Sequence, residues 1–138
     1  MTQTEKVLYT AKLHTTGGRE GASRSSDGRL DVKLAIPGGP GVGTNPEQLF
    51  AAGWSACFES AILHVARDKK ISIPPNAAVD AEVDLILSDG GYSIAARLKV
   101  SLPGLPREVA QGLVDAADQT CPYSKATRGN IPVSVTLV

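Results

Sequence analysis

Neither sign of charge is in excess in this chain: fourteen Lys and Arg stand against fourteen Asp and Glu, a formal net charge of zero. The electrostatic footprint needed to hold nucleic acid or an anionic membrane is missing, so neither is expected as a partner. Apolar runs are short, none approaching a transmembrane span. The opening "MTQTEKVLYTAKLH" lacks the basic flank, apolar stretch and cleavage site of a signal peptide. The expected location is the cytoplasm. Aromatic residues number six, and cysteines only two, Cys57 and Cys121. Where thiols are kept reduced, a permanent staple is disfavoured. Catalysis, redox exchange and metal binding then compete with two unrelated core thiols, the reading that composition alone favours.

The 138 residues, 42% hydrophobic and 20% charged, suffice for one domain around one core, taken here as residues 1–138. Residues 7–14 alternate as a half-buried strand does, with Val7, Tyr9, Ala11 and Leu13 on one side. "TTGGREG" breaks it. Residues 19–26 and 29–36 flank the Asp27-Gly28 hairpin signal, with Leu30, Val32, Leu34 and Ile36 as the inward face of the second arm. After "PGGPGVGT", Asn45 as cap, Pro46 at the first helical position and Gln48 at the capping-box position predict a long helix to about Arg67. A second hairpin follows, Val79 to Leu87 turning through "SDGG" into Ile94 to Val100, with one wet face.

Pro106 then opens a helix striped with Val109, Leu113, Ala116 and Ala117, "PYSKAT" adds a helical turn, and "IPVSVTLV" alternates as a last strand. The order βββαββαβ is an α+β class, antiparallel sheets packed on a long central helix.

That central helix is apolar nearly all round, so it must be covered on several sides. A chain this short has few layers to do so, and an obligate homodimer follows as an expectation, the small residues Ala51, Ala52, Gly53, Ser55 and Ala56 permitting close approach. At 100° per residue, Phe50, Trp54 and Phe58 project into the sector that holds Cys57. An aromatic core stripe and an apolar substrate pocket with a thiol in its wall both account for this. At neutral pH only about 3% of an ordinary thiol is thiolate, and an apolar wall lowers that fraction, so a reactive Cys57 needs a cation. His64, seven residues along, is too far, and the field of the helix N-terminus fades before Cys57.

Four segments in order carry a resemblance that spans the chain: "TTGGREG" with Arg19, "NPEQLFAAGWSACF" with Glu47 and Cys57, "DQTCPYSKATRGN" with Cys121, and "IPVSVTLV". The chain resembles the organic hydroperoxide resistance branch of the Ohr/OsmC family. The sister OsmC branch tends to carry a His close before its first cysteine and "CPVSK" around its second. Here Trp54 and Tyr123 stand in those surroundings.

The resemblance implies an OsmC-like fold in an intertwined homodimer, and a thiol peroxidase that reduces organic (alkyl or fatty-acid) hydroperoxides without a cofactor. In it Cys57 is peroxidatic, Cys121 resolves it, Arg19 stands by the thiolate and the developing alkoxide, and Glu47 orients Arg19. A dithiol such as dihydrolipoamide, free or on a lipoylated protein, would recycle the disulfide. Glu47 and Cys57 lie about 15 Å apart along one helix, so one Arg can hardly touch both. Either the helix breaks between them, or Arg19 and Glu47 serve the other subunit's thiol. Three other readings compete: an OsmC-type peroxidase of broader range, a non-catalytic binder of apolar ligands, and a metal site using Cys57, Cys121, His14 and His64. The familiar close Cys/His spacings of a metal site are absent.

Overall fold

The computed structural model describes residues 4–138, which form two compact units, one ending at Pro46 and the other Glu47–Val138.

The first unit is an antiparallel sheet of β1 (Leu13–Thr16), β2 (Ala22–Ser25) and β3 (Asp31–Lys33), in that order. Its meander was expected, but β1 starts six residues later than the alternation indicated. With β2 only four residues long, the register that begins at Leu13↔Ser25 runs out, and the last bond is from the Ser26 N–H to the Lys12 carbonyl. Among the described residues of this unit, 7–11 therefore have no strand beside them, and Val7, Leu8 and Tyr9 are all exposed. The β2–β3 turn closes with the Gly28 N–H donating to the Ser25 carbonyl, while the Asp27 carboxylate accepts from the Ser25 hydroxyl and the Arg29 N–H. Of the expected inward face, Leu30, Val32 and Leu34 are shielded, whereas Ile36 is exposed beyond the end of β3.

Arg19, expected within a strand arm, sits in a 3-10 turn, Gly18–Glu20, between β1 and β2. Thr16 and Ala22 pair directly across this turn. The chain closes so tightly that a Cβ on Gly21 would run into the Thr16 carbonyl, which excludes any side chain there.

The second unit opens with α1 (Pro46–Asp68), 23 unbroken helical residues with Pro46 first, as the capping signals indicated. By length and composition α1 is able to cross a membrane, contrary to the expectation from apolar runs. Gln48, Glu59, His64 and the serines had disguised it by interrupting the run. Its Trp54, Phe58, Ala61, Ile62, Val65 and Ala66 instead belong to the hydrophobic core. β4 (Ala78–Ser88) and β5 (Gly91–Ser101) form the expected hairpin around Asp89 and Gly90, with Val79↔Val100, Ala81↔Leu98 and Val83↔Ala96 paired on the core face. The opposite face is wet. There the Arg97 guanidinium makes a fork-like pair with Asp84 at 2.7 and 2.8 Å and donates to Glu82 at 2.7 Å.

β6 (Val133–Leu137) joins β5 in parallel, so this sheet, order β4-β5-β6, is mixed rather than antiparallel throughout. The reason lies in the connection. α2 (Arg107–Thr120) and α3 (Pro122–Thr127) return the chain to the end of the sheet where β5 began, as a crossover must. α2 contributes Ala110, Leu113, Val114 and Ala117 to the core, a stripe rotated slightly from the expected one, in which Val109 and Ala116 are only partly buried.

Candidate active site

Cys121 stands at the joint of two helices. Pro122 has no N–H and drives the preceding residue out of the helical region, so Cys121 adopts φ −64°, ψ 121° and α2 ends there. Its N–H still donates to the Ala117 carbonyl at 2.8 Å, and its own carbonyl accepts the Lys125 N–H at 3.0 Å, opening α3. The backbone of the thiol is thus held from both sides. Its side chain is wholly buried and points at α1.

The partner on α1 is Cys57. The two Sγ atoms are 3.2 Å apart, within hydrogen-bond contact, both thiols being free. A disulfide needs about 2.05 Å, so bonding requires only a small approach. Cys57 differs from Cys121 in keeping part of its surface open to solvent. Burial pushes the Cys57 thiol above its ordinary pKa, the backbone N–H of Tyr123 pulls the other way, and the adjoining Cys121 raises it further. Alone, this pocket keeps the sulfur protonated.

The three aromatic residues expected in a substrate pocket divide. Trp54 and Phe58 are fully buried core side chains, and Trp54 donates through Nε1 to the Ser124 hydroxyl at 3.2 Å, tying α1 to α3. Phe50 is partly exposed and stacks on Tyr123, with ring centroids 5.9 Å apart and 30° between planes. Tyr123 is 39% exposed. The aromatic surface on the Cys57 face of α1 is thus Phe50 with Tyr123, the latter a residue that helical periodicity alone did not bring forward. Its place two residues after Cys121 was the available signal. A cavity of about 330 Å³ opens elsewhere in this unit, lined by Trp54, Val114, Asp115, Asp118, Ser124 and Arg128 among others but by neither cysteine.

Glu47 lies in the first turn of α1 and is partly buried; Arg19, also partly buried, lies in the other unit. Because α1 is continuous from Pro46 to Asp68, the alternative of a helix broken between Glu47 and Cys57 is excluded. His64 is exposed and faces Asp68 at 3.5 Å. Among the described residues no three His, Cys, Asp or Glu side chains cluster as metal ligands would.

The comparisons with known proteins agree with this fold. The family model described as "OsmC-like protein" matches residues 38–136. The organic hydroperoxide resistance protein of Xanthomonas axonopodis pv. citri (strain 306) is 50% identical over 141 residues, covering 99% of both chains. OhrB of Bacillus subtilis (strain 168), named an organic hydroperoxide resistance protein, is 47% identical over 136 residues, 95% of this chain and 98% of its own. A crystal structure of Bacillus subtilis OhrB superimposes with a TM-score of 0.89 at 46% identity, covering 96% of this chain and all of the other. The chain therefore belongs to the OsmC-like family, among the organic hydroperoxide resistance proteins.

Proposed function

We propose that this protein is a cysteine-based peroxidase that reduces organic hydroperoxides to alcohols. The observation that carries the reading is the pair of free thiols at 3.2 Å, one partly open to solvent and the other wholly buried. The open thiol, Cys57, meets peroxide. Its thiolate attacks an oxygen of the O–O bond, an S–O bond forms, the O–O bond breaks, and the departing alkoxide takes a proton to become an alcohol. Cys121 then attacks the sulfenic sulfur, the hydroxyl leaves as water, and a Cys57–Cys121 disulfide results before slower, irreversible oxidation sets in. A dithiol, for which dihydrolipoamide or a lipoylated protein is the candidate, exchanges with the disulfide and restores both thiols.

Since burial works against ionisation of Cys57, the mechanism needs Arg19 as the cation. Full ionisation from about 3% thiolate gains only about thirtyfold, near 2 kcal/mol. The larger contribution of Arg19 is its donors, aimed at the charge that develops on the alkoxide. Glu47 grips the far side of the guanidinium and orients it. The unbroken α1, which separates Glu47 from Cys57 by about 15 Å, supports an arrangement in which Arg19 and Glu47 serve the thiol of a second copy.

A homodimer is part of the same reading. The alternating segment 7–11 and the exposed Ala52, Ala56 and Leu63 on α1 are what a second copy would cover. The work place is the cytoplasm, where dithiol reductants are available. Phe50 and Tyr123 give the site an apolar approach, which favours alkyl and fatty-acid hydroperoxides over hydrogen peroxide.

The testing experiment is a steady-state assay with dihydrolipoamide as donor, comparing hydrogen peroxide with apolar hydroperoxides. A clear preference for the apolar substrates is expected, abolished in Cys57→Ser. Turnover retained in Cys57→Ser would sink the mechanism, and equal efficiency with hydrogen peroxide would sink the apolar approach.

A further inference from the structure

Gly53 sits in the interior of α1, a position where glycine is a poor choice for helix stability. What meets it is the Tyr123 side chain. A Cβ added at Gly53 would lie 3.0 Å from the Tyr123 Oη and 3.5 Å from its Cε2 and Cζ. Only the contact with the hydroxyl is tighter than ordinary packing. The Tyr123 ring therefore lies flat along the Cys57 face of α1, against Gly53 and stacked on Phe50, while the backbone N–H of the same residue faces the Cys57 sulfur. Tyr123 is separated from Cys121 by Pro122 alone, whose ring fixes the backbone between them.

We infer that Gly53 is a positioning residue for disulfide formation: by carrying no side chain it seats the Tyr123 phenol on α1 and so holds Cys121 within reach of Cys57. The inference rests on the roles of Cys57 and Cys121 given above and adds a control on the second chemical step. Once Cys57 is a sulfenic acid, two fates compete. Cys121 displaces the hydroxyl as water to give the disulfide, or a second hydroperoxide gives up an oxygen to yield the sulfinic acid and another alcohol. A phenol pushed off its seat by a few tenths of an ångström carries Cys121 out of line and favours the second fate.

The test is the ratio of sulfinic acid to disulfide at Cys57, read by mass spectrometry after turnover of an alkyl hydroperoxide with dihydrolipoamide. Gly53→Ala should raise that ratio about fivefold, the scale of one tight contact introduced into a packed site. The same substitution made in a Tyr123→Phe background, where the crowded hydroxyl is gone, should leave the ratio as it is in Tyr123→Phe alone. Because alanine favours the helix, unfolding does not account for the change. Should Gly53→Ala nevertheless fail to fold, Tyr123→Ala removes the seated ring from the other side and should raise the ratio likewise. An unchanged ratio in Gly53→Ala, or an equal rise in both backgrounds, overturns the inference. A parent protein that forms no Cys57–Cys121 disulfide overturns the underlying roles as well, and is a distinct result.

Discussion

At the scale of the residue, Cys57 and Cys121 differ in the access of water, and the proposed mechanism takes their order in the reaction from that difference. On that mechanism the wholly buried Cys121 is shielded from peroxide and reacts with the Cys57 sulfur 3.2 Å away. Cys121→Ser should therefore still consume the first equivalent of hydroperoxide but lose sustained turnover and accumulate sulfinic acid at Cys57, as mass spectrometry of the treated protein would show. The pH dependence tests Arg19. Thiolate is the reactive form, so a raised pKa moves the rise in reactivity to higher pH, and a nearby cation moves it back. Burial and Cys121 raise Cys57. In Arg19→Ala the midpoint for alkylation of Cys57 should lie at higher pH than in the parent. Coincident midpoints would remove Arg19 from the site.

At the scale of the element, β5 carries the second unit because it lies between β4 and β6 and places Ala96, Leu98 and Val100 in the buried core. Leu98→Ala should cost about 2–5 kcal/mol in urea denaturation, since its site is fully closed. Arg97→Ala, one residue away, should cost far less despite the three hydrogen bonds it breaks. They lie on the wet face, where water replaces them and salt screens them. The elements were largely legible in the sequence, for physical reasons that also explain the exceptions. Periods of two and of 3.6 report which face is buried and mark α2, β4, β5 and β6, while capping signals mark α1. Alternation is the same in parallel and antiparallel strands, so the direction of β6 was not in its own residues but in the two helices that precede it. β1 was drawn too long because alternation reports a strand's readiness to pair, not whether a neighbour exists. Helical phase leaves core stripe and pocket both open for Trp54 and Phe58, because it fixes a sector and says nothing of what fills it; in the fold both are buried in the core.

At the scale of the whole molecule, the proposed homodimer rests on two features: the segment 7–11, beside which no strand lies among the described residues of its unit and in which Val7, Leu8 and Tyr9 are exposed, and the exposed Ala52, Ala56 and Leu63 of α1. Removal of residues 1–12 should shift the protein from dimer toward monomer in sedimentation velocity, and a dimer of unchanged affinity would place the interface elsewhere. Shared sites are testable by mixing. If Arg19 acts across the dimer, subunit exchange between Cys57→Ser and Arg19→Ala proteins, each inactive, should restore about a quarter of parental activity, because half the dimers gain one intact site of two. If both residues act within one chain, the mixture stays inactive.

The sequence by itself determined the class of fold, the long apolar helix, the family and the two thiols. These are properties of local pattern and of motifs contiguous in the chain. Tertiary structure decided that the thiols touch, that one is open and the other closed, and that Phe50 and Tyr123 rather than Trp54 and Phe58 form the exposed aromatic surface. Those facts depend on how α3 folds back onto α1 across more than sixty intervening residues. Periodicity along one element carries no record of what packs against it.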